Sequence, residues 1–200
     1  MTLFGFSLLD ISASLGLCAT GLLTINFLLG MCLSTPYKKS IFWKKLPETI
    51  KTVSLDDLHN WTAYVALIFV IFHPLFLIFD PTYKFTLIDV LWPLHAPNQP
   101  TIVLLGSISF YALIIVVITT QKIIKRKLSF RVWKNIHLIS YGTGLLFLLH
   151  GLLMDPELKD RPIDWFDAEK AFSESCLFLV MVTILIRYRY HLRSKNAKFT

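Results

Sequence analysis

The sequence predicts an all-α integral membrane protein, a five-span transmembrane helical bundle. Three observations carry that. Of 200 residues, 54% are hydrophobic and only 16% are charged, against roughly 25% charged in soluble domains. Mean hydropathy is +0.59. The apolar residues also collect into runs of about 20, long enough to cross a hydrocarbon core of roughly 30 Å as helices.

Five spans are expected, at about 8–33, 55–79, 101–121, 133–153 and 171–188. Together they make one transmembrane domain over 1–200, with no stretch left for a second, soluble one. The first span is the least regular, with Ser12, Ser14, Thr24 and Asn26 inside it. Small polar residues of this kind suit a helix face packed on other helices. A cleaved leader is not expected. The N-terminus lacks a positive region, its earliest charge is Asp10, and the first apolar run exceeds the roughly 7–15 residues of a signal sequence.

The formal charge of +7 raises nucleic acid as a partner, but the distribution excludes that reading. The basic residues sit in short loops between apolar runs, where they fix orientation in a membrane. The segment 34–54 holds Lys38, Lys39, Lys44, Lys45 and Lys51; the segment 122–134 holds Lys122, Lys125, Arg126, Lys127, Arg131 and Lys134; the tail holds Arg187, Arg189, Arg193, Lys195 and Lys198. Sixteen of the 20 lysines and arginines thus lie on one side, and Lys84, Lys159, Arg161 and Lys170 on the other. The N-terminus is expected outside and the C-terminus in the cytoplasm of a cell inner or plasma membrane, as an odd number of spans requires. Ten of the 13 acidic residues fall on the outer side, most of them in 155–174. That segment reads as a solvated loop or as an acidic docking surface. Cys18, Cys32 and Cys176 lie in or beside apolar runs without metal spacing and read as small core residues.

Histidine inside a membrane is costly and marks function. His95, in a proline-rich outer loop, and His191, in the basic tail, read as surface residues. The other four are intramembrane. His59 and His73 lie 14 residues apart on the second span, roughly 21 Å along a helix and close to four turns, so both rings leave nearly one face. Ala63, Ala66 and Val70 stand between them on that face and leave room for a flat macrocycle. His137 and His150 lie 13 residues apart on the fourth span, which turns the two rings to rather different faces. Either a distortion at Gly142 or Gly144 or an approach from different sides accommodates that, and Gly144 also leaves space for a porphyrin.

Both spans run from inside to outside, so His59 and His137 share the inner depth and His73 and His150 the outer depth. Facing imidazoles at one depth are a standard axial pair for haem iron. A plain interhelical hydrogen-bond role is the competing reading. Zinc or copper fits less well, because each level offers only two ligands.

The segments Leu58-His59-Asn60-Trp61 to Phe72-His73-Pro74, and Trp133-Lys134-Asn135-Ile136-His137-Leu138 to Leu149-His150-Gly151, resemble the ferric reductase-like transmembrane domain. That domain occurs in NADPH oxidases, ferric reductases and the haem-binding membrane subunit of a periplasmic methionine sulfoxide reductase. The resemblance covers roughly residues 10–190. It implies two b haems, an inner one on His59 and His137 and an outer one on His73 and His150, that pass electrons from a cytoplasmic donor to an outer acceptor. Oxidases and reductases of the family continue into a flavin and nicotinamide domain. Here there is no GxGxxG, and no nucleotide fold is expected. His73-Pro74-Leu75-Phe76 resembles the family's flavin motif only superficially, since it lies inside an apolar span.

The donor is therefore expected from elsewhere, as a cytoplasmic flavoprotein, a bound flavin, or a membrane quinol. The basic segments 38–51 and 122–134 are candidate docking sites for it. Lys159 and Arg161 are candidate partners of haem propionates or of an anionic substrate. The resulting expectation is an oxidoreductase, or the membrane subunit of one, for transmembrane electron transfer. The alternatives are the methionine sulfoxide reductase subunit, a non-catalytic haem carrier or sensor, and a small transporter whose histidines relay protons.

Overall fold

A computed structural model of the chain describes residues 2–3, 5–155 and 166–196. The elements in order are β1 (Thr2–Leu3), β2 (Phe6–Ser7), α1 (Leu8–Leu33), α2 (Ile41–Lys45), α3 (Glu48–Lys51), α4 (Leu55–Ile78), α5 (Leu87–Leu91), α6 (Pro100–Thr120), α7 (Lys122–Lys125), α8 (Phe130–Leu153) and α9 (Ala168–Asn196). Short 3₁₀ turns at Tyr37–Lys39 and Pro93–His95 complete the loops. Five helices, α1, α4, α6, α8 and α9, are long and apolar enough to cross a membrane. They fall where the five apolar runs lie, within three residues at each end except that α9 continues to Asn196. Among the described residues the all-α expectation is amended only by the antiparallel two-residue strands β1 and β2 near the N-terminus.

Local chemistry sets the helix starts. Ser7 accepts from the Asp10 amide while the Asp10 carboxylate accepts from the Ser7 amide, a capping box for α1. Ser54 accepts from Asp57 N–H at α4, and Ser129 from Val132 N–H at α8. Such caps satisfy amides that the first helical turn leaves without partners. Gln99, in left-handed backbone (φ 47°), precedes Pro100 at the start of α6, where a missing N–H costs nothing. Pro74 lies inside α4, yet the helix runs unbroken to Ile78.

α1 lies along α4 and α6 along α8, while α9 packs against α1 and α8. The central core gathers Ala19 and Leu23 of α1, Ala66 and Val70 of α4, Leu113 and Val117 of α6, and Phe147 of α8. A second cluster joins Leu148, Cys176 and Val180. Buried hydroxyls return to their own helix: Thr20 to the Gly16 carbonyl, Thr24 to Thr20, Thr143 to Ile139 and Thr183 to Leu179. Each of these four hydroxyls is thus satisfied without water. Outward, the bundle presents Ile68, Phe72, Ile115 and Phe178, an apolar exterior that lipid solvates at no cost.

The loop ends are tied to the helices. Arg187 Nη1 on α9 donates to the Ser34 carbonyl at 3.0 Å, placing a cation at the C-terminus of α1 where the helix dipole favours it. Gln99 Oε1 accepts from the Asp155 amide at 3.1 Å, joining the start of α6 to the end of α8.

Cys176 is buried, Cys32 is intermediate and Cys18 is exposed. The core reading of the three cysteines therefore holds for Cys176 alone. An apolar span carries small residues on its lipid face as readily as on its core face, and hydropathy does not separate the two.

Candidate functional site

The four intramembrane histidines meet in two pairs. The His59 and His137 ring centres lie 6.1 Å apart at 70°, and those of His73 and His150 lie 6.3 Å apart at 77°. Two imidazoles on opposite sides of one metal, each with a metal–nitrogen bond of about 2 Å, place their ring centres roughly 6 Å apart. The observed spacing fits a bis-histidine metal centre at both levels. His95 and His191 are exposed and belong to neither.

The second ring nitrogen of three of these histidines is held by backbone. His73 Nδ1 donates to the Ser12 carbonyl at 2.7 Å, His150 Nδ1 to the Ile102 carbonyl at 2.8 Å, and His59 Nδ1 to the Asn26 carbonyl at 3.2 Å. A carbonyl can only accept, so each ring keeps its proton on Nδ1 and leaves Nε2 as the free lone pair. That is the usual outer hydrogen bond of a metal-ligating histidine. No hydrogen bond among the described residues involves an Nε2 of the four.

A glycine stands four residues after each of those carbonyls: Gly16 after Ser12, Gly30 after Asn26, Gly106 after Ile102. A Cβ on Gly106 would lie 2.9 Å from His150 Cε1, one on Gly16 3.1 Å from His73 Cε1, and one on Gly30 3.3 Å from His59 Cε1. The rule is common to all three sites. A side chain one turn beyond the carbonyl would cover it, and hydrogen in place of Cβ lets the imidazole reach it. On α1 the two glycines are 14 residues apart, the same interval that separates His59 from His73 on antiparallel α4. Sequence reasoning missed these glycines, although that shared interval was the signal that would have found them. Side chains of α1 add to the arrangement: Ser12 Oγ donates to the His73 carbonyl at 2.7 Å, and Asn26 Nδ2 donates to the His59 carbonyl at 2.5 Å.

Space flanks the His73–His150 pair on both sides. One pocket is bounded by Gly16, Thr20, Lys170 and Ser173, and another by Val70, Phe85, Gly106 and Phe110. Both share His73, Phe147, His150 and Met154. A flat group centred between the two rings would extend into both. The donor set, the spacing and this slot fit haem.

The family model of the ferric reductase like transmembrane component matches residues 15–149. This chain belongs to that family. No curated protein and no solved structure matches it. The family match is narrower than the 10–190 expected, and it ends one residue before His150. It takes in three of the four paired histidines and all three glycines that lie against them. Five apolar helices and this membership describe an integral membrane protein whose family role suggests transmembrane electron transfer.

The structure of this ferric reductase-like chain departs from the sequence reading in two places and bears on a third that the sequence left open. Gly144 leaves no space for a porphyrin. A Cβ there would collide with the Phe27 ring of α1, which also meets Tyr141 edge-on at 5.7 Å. The room that glycine creates is filled from a neighbouring helix between the two histidine levels. Ala66 and Val70 are likewise closed into the core, though Val70 still borders the second of those pockets. The 13-residue interval on α8 needs no break at Gly142 or Gly144, because the helix is continuous from Phe130 to Leu153.

Lys159 and Arg161 lie outside the described residues. The cation found at the His73–His150 pair is Lys170, read from sequence only as a loop charge. It is buried (5% exposed), and its Nζ donates to the carbonyls of Gly151 at 3.3 Å, Leu152 at 2.9 Å and Met154. It thus caps the end of α8 one residue beyond His150, where a positive charge meets the negative end of the helix dipole. Lys170→Met is expected to leave those carbonyls without a partner, at a cost of about 1–3 kcal/mol. Thermal unfolding monitored by light scattering checks it, and an unchanged midpoint would remove the capping role.

Proposed function

We propose that this chain carries electrons singly across the membrane through two b-type haems, one held by His59 and His137 and the other by His73 and His150. The observation that carries the proposal is the two facing imidazole pairs, in which three of four rings are held in the ligand-competent tautomer by a carbonyl–glycine notch. Haem, when bound, supplies a one-electron iron couple at each level. The chain's own residues bind and orient it. Ser12, Asn26 and Ile102 direct Nε2 toward the iron, and Phe27 and Tyr141 fill the bundle between the levels. The two levels are roughly 21 Å apart along α4 by helix rise.

The basic loops support an orientation with the His59–His137 level toward the cytoplasm and the N-terminus outside. The donor in this reading is a cytoplasmic flavoprotein or a membrane quinol, met at the basic segments 38–51 and 122–134. The acceptor lies on the outer side, where both pockets border the His73–His150 pair. The 200 residues contain no dinucleotide-binding fingerprint, which favours a donor outside this sequence.

The purified protein is expected to hold two haems per chain by pyridine haemochrome, with a low-spin reduced-minus-oxidised spectrum. Colourless protein that takes up no added haemin would sink the proposal. For orientation, single cysteines at exposed His95 and exposed Lys127 in a cysteine-free background are expected to respond differently to an impermeant thiol reagent. The first reacts from outside the cell and the second only after lysis. The reverse pattern would exchange inner and outer throughout.

A further inference from the structure

The inner pair is built unlike the outer one. His59, His73 and His150 each give their Nδ1 proton to a carbonyl beside a glycine. His137 does not: its Nδ1 is buried without a hydrogen-bond partner among the described residues. α6, which runs antiparallel to α8 and holds His150, offers no such notch at the His137 level. Thirteen residues on from Ile102 and Gly106, the interval between His150 and His137, stand Ile115 and Thr119. There is no glycine there. Thr119 donates its own hydroxyl to the Ile115 and Val116 carbonyls, at 2.8 and 3.0 Å. Thr120 Oγ1 and Gln121 Nε2 both donate to the Val117 carbonyl. Three carbonyls near the end of α6, those of Ile115, Val116 and Val117, already accept from its own side chains.

His137 is held instead by a ring. Trp133, one turn earlier on α8, stacks on it with centres 5.3 Å apart and planes at 18°. Lys125 Nζ sits 4.1 Å from the centre of the same indole, a cation–π contact. The indole Nε1 is also buried without a partner among the described residues, so the flat face of Trp133 does the holding and its N–H does not.

We propose that Trp133 is the positioning residue for His137, and that the inner centre is consequently the easier of the two to reduce. This rests on the bis-histidine haem reading. A ligand imidazole whose Nδ1–H is bonded to an acceptor becomes more basic and favours the oxidised iron. Both outer ligands are of that kind, and one inner ligand is not. Each level has a lysine near it, Lys125 over Trp133 at the inner one and Lys170 at the end of α8 at the outer one, so the inferred difference rests on the hydrogen bonds of the ligands. The inner level is therefore the first to fill.

The test is an optical redox titration of the holoprotein. His73→Ala/His150→Ala isolates the inner component and His59→Ala/His137→Ala the outer. The inner component is expected to be at least tenfold more reduced at a given potential, about 59 mV for a one-electron couple. The gap should persist in 1 M salt, where screening acts within roughly 3 Å. Trp133→Leu should give the inner component a high-spin or broadened signal and leave the outer untouched, and Trp133→Phe, which keeps a flat ring, should restore it. Equal or inverted midpoints, a gap abolished by salt, or a Phe variant as damaged as Leu would each overturn this inference in a protein that still binds two haems. Absence of bis-histidine haem from the wild-type protein would overturn the functional reading with it.

Discussion

Removing His59 and His150 together leaves neither level with a complete pair of ligands, whereas removing His59 and His137 together leaves one level intact. Both double variants lose two imidazoles from the same two helices. They differ only in whether the losses share a level, so general damage to α4 and α8 cancels between them. The ring centres pair 59 with 137 and 73 with 150, at 6.1 and 6.3 Å, because α4 and α8 run in the same direction with α6 between them in the chain. His59→Ala/His137→Ala is expected to retain about one low-spin haem per chain. His59→Ala/His150→Ala is expected to retain no low-spin haem, and His73→Ala/His150→Ala to match the first with the opposite level surviving. Pyridine haemochrome counts, taken on fractions of equal monodispersity and helix content, decide it. Equal retention in the first two variants would show that the ligands do not pair by depth.

A single methyl group at residue 106 is expected to do nearly as much to the outer level as the loss of its ligand. The Cβ of Gly106→Ala would arrive 2.9 Å from His150 Cε1 and 3.0 Å from Nδ1. The ring cannot retreat without breaking its bond to the Ile102 carbonyl. Overpacking of this kind costs about 1–3 kcal/mol in a well-packed interior, and here it falls on the axial ligand itself. The outer haem should be lost or turn high-spin, removing about half of the low-spin signal. Gly16→Ala should act on the same level through His73, and Gly30→Ala, with 3.3 Å to His59, should act more mildly on the inner one. Gly142→Ala is the control on α8, since nothing lies within 4 Å of its added Cβ. Replacing glycine inside a helix is otherwise stabilising by roughly 0.5–1 kcal/mol. Resonance Raman spin-state markers read these differences directly. Wild-type spectra from Gly106→Ala would mean that the glycine is not what admits His150 to its carbonyl.

The two glycine classes show where sequence reading reaches and where it stops. Gly144 stands seven residues after a ligand and reads as space for a macrocycle, yet Phe27 of α1 occupies it. Gly16, Gly30 and Gly106 stand on helices without any ligand and attract no notice, yet each admits an imidazole to a backbone carbonyl. What a glycine admits depends on the helix across from it, and a single sequence does not state which helix that is. Lys170 is a similar case. Its charge is legible, but only the fold turns it inward onto the end of α8.

The sequence by itself determined the five apolar spans, their approximate limits, the asymmetry of the basic loops and the matched depths of four histidines. These follow from helix rise and from the cost of moving charge and unpaired polar groups into hydrocarbon. Both are properties of one segment at a time. Only the tertiary structure decided which rings face each other, which nitrogen each leaves free, and that three rings are held by carbonyls while the fourth lies against an indole. Those depend on the rotation and offset of one helix against the next. In an apolar bundle, close packing and buried hydrogen bonds set them, and both need atoms from two helices at once.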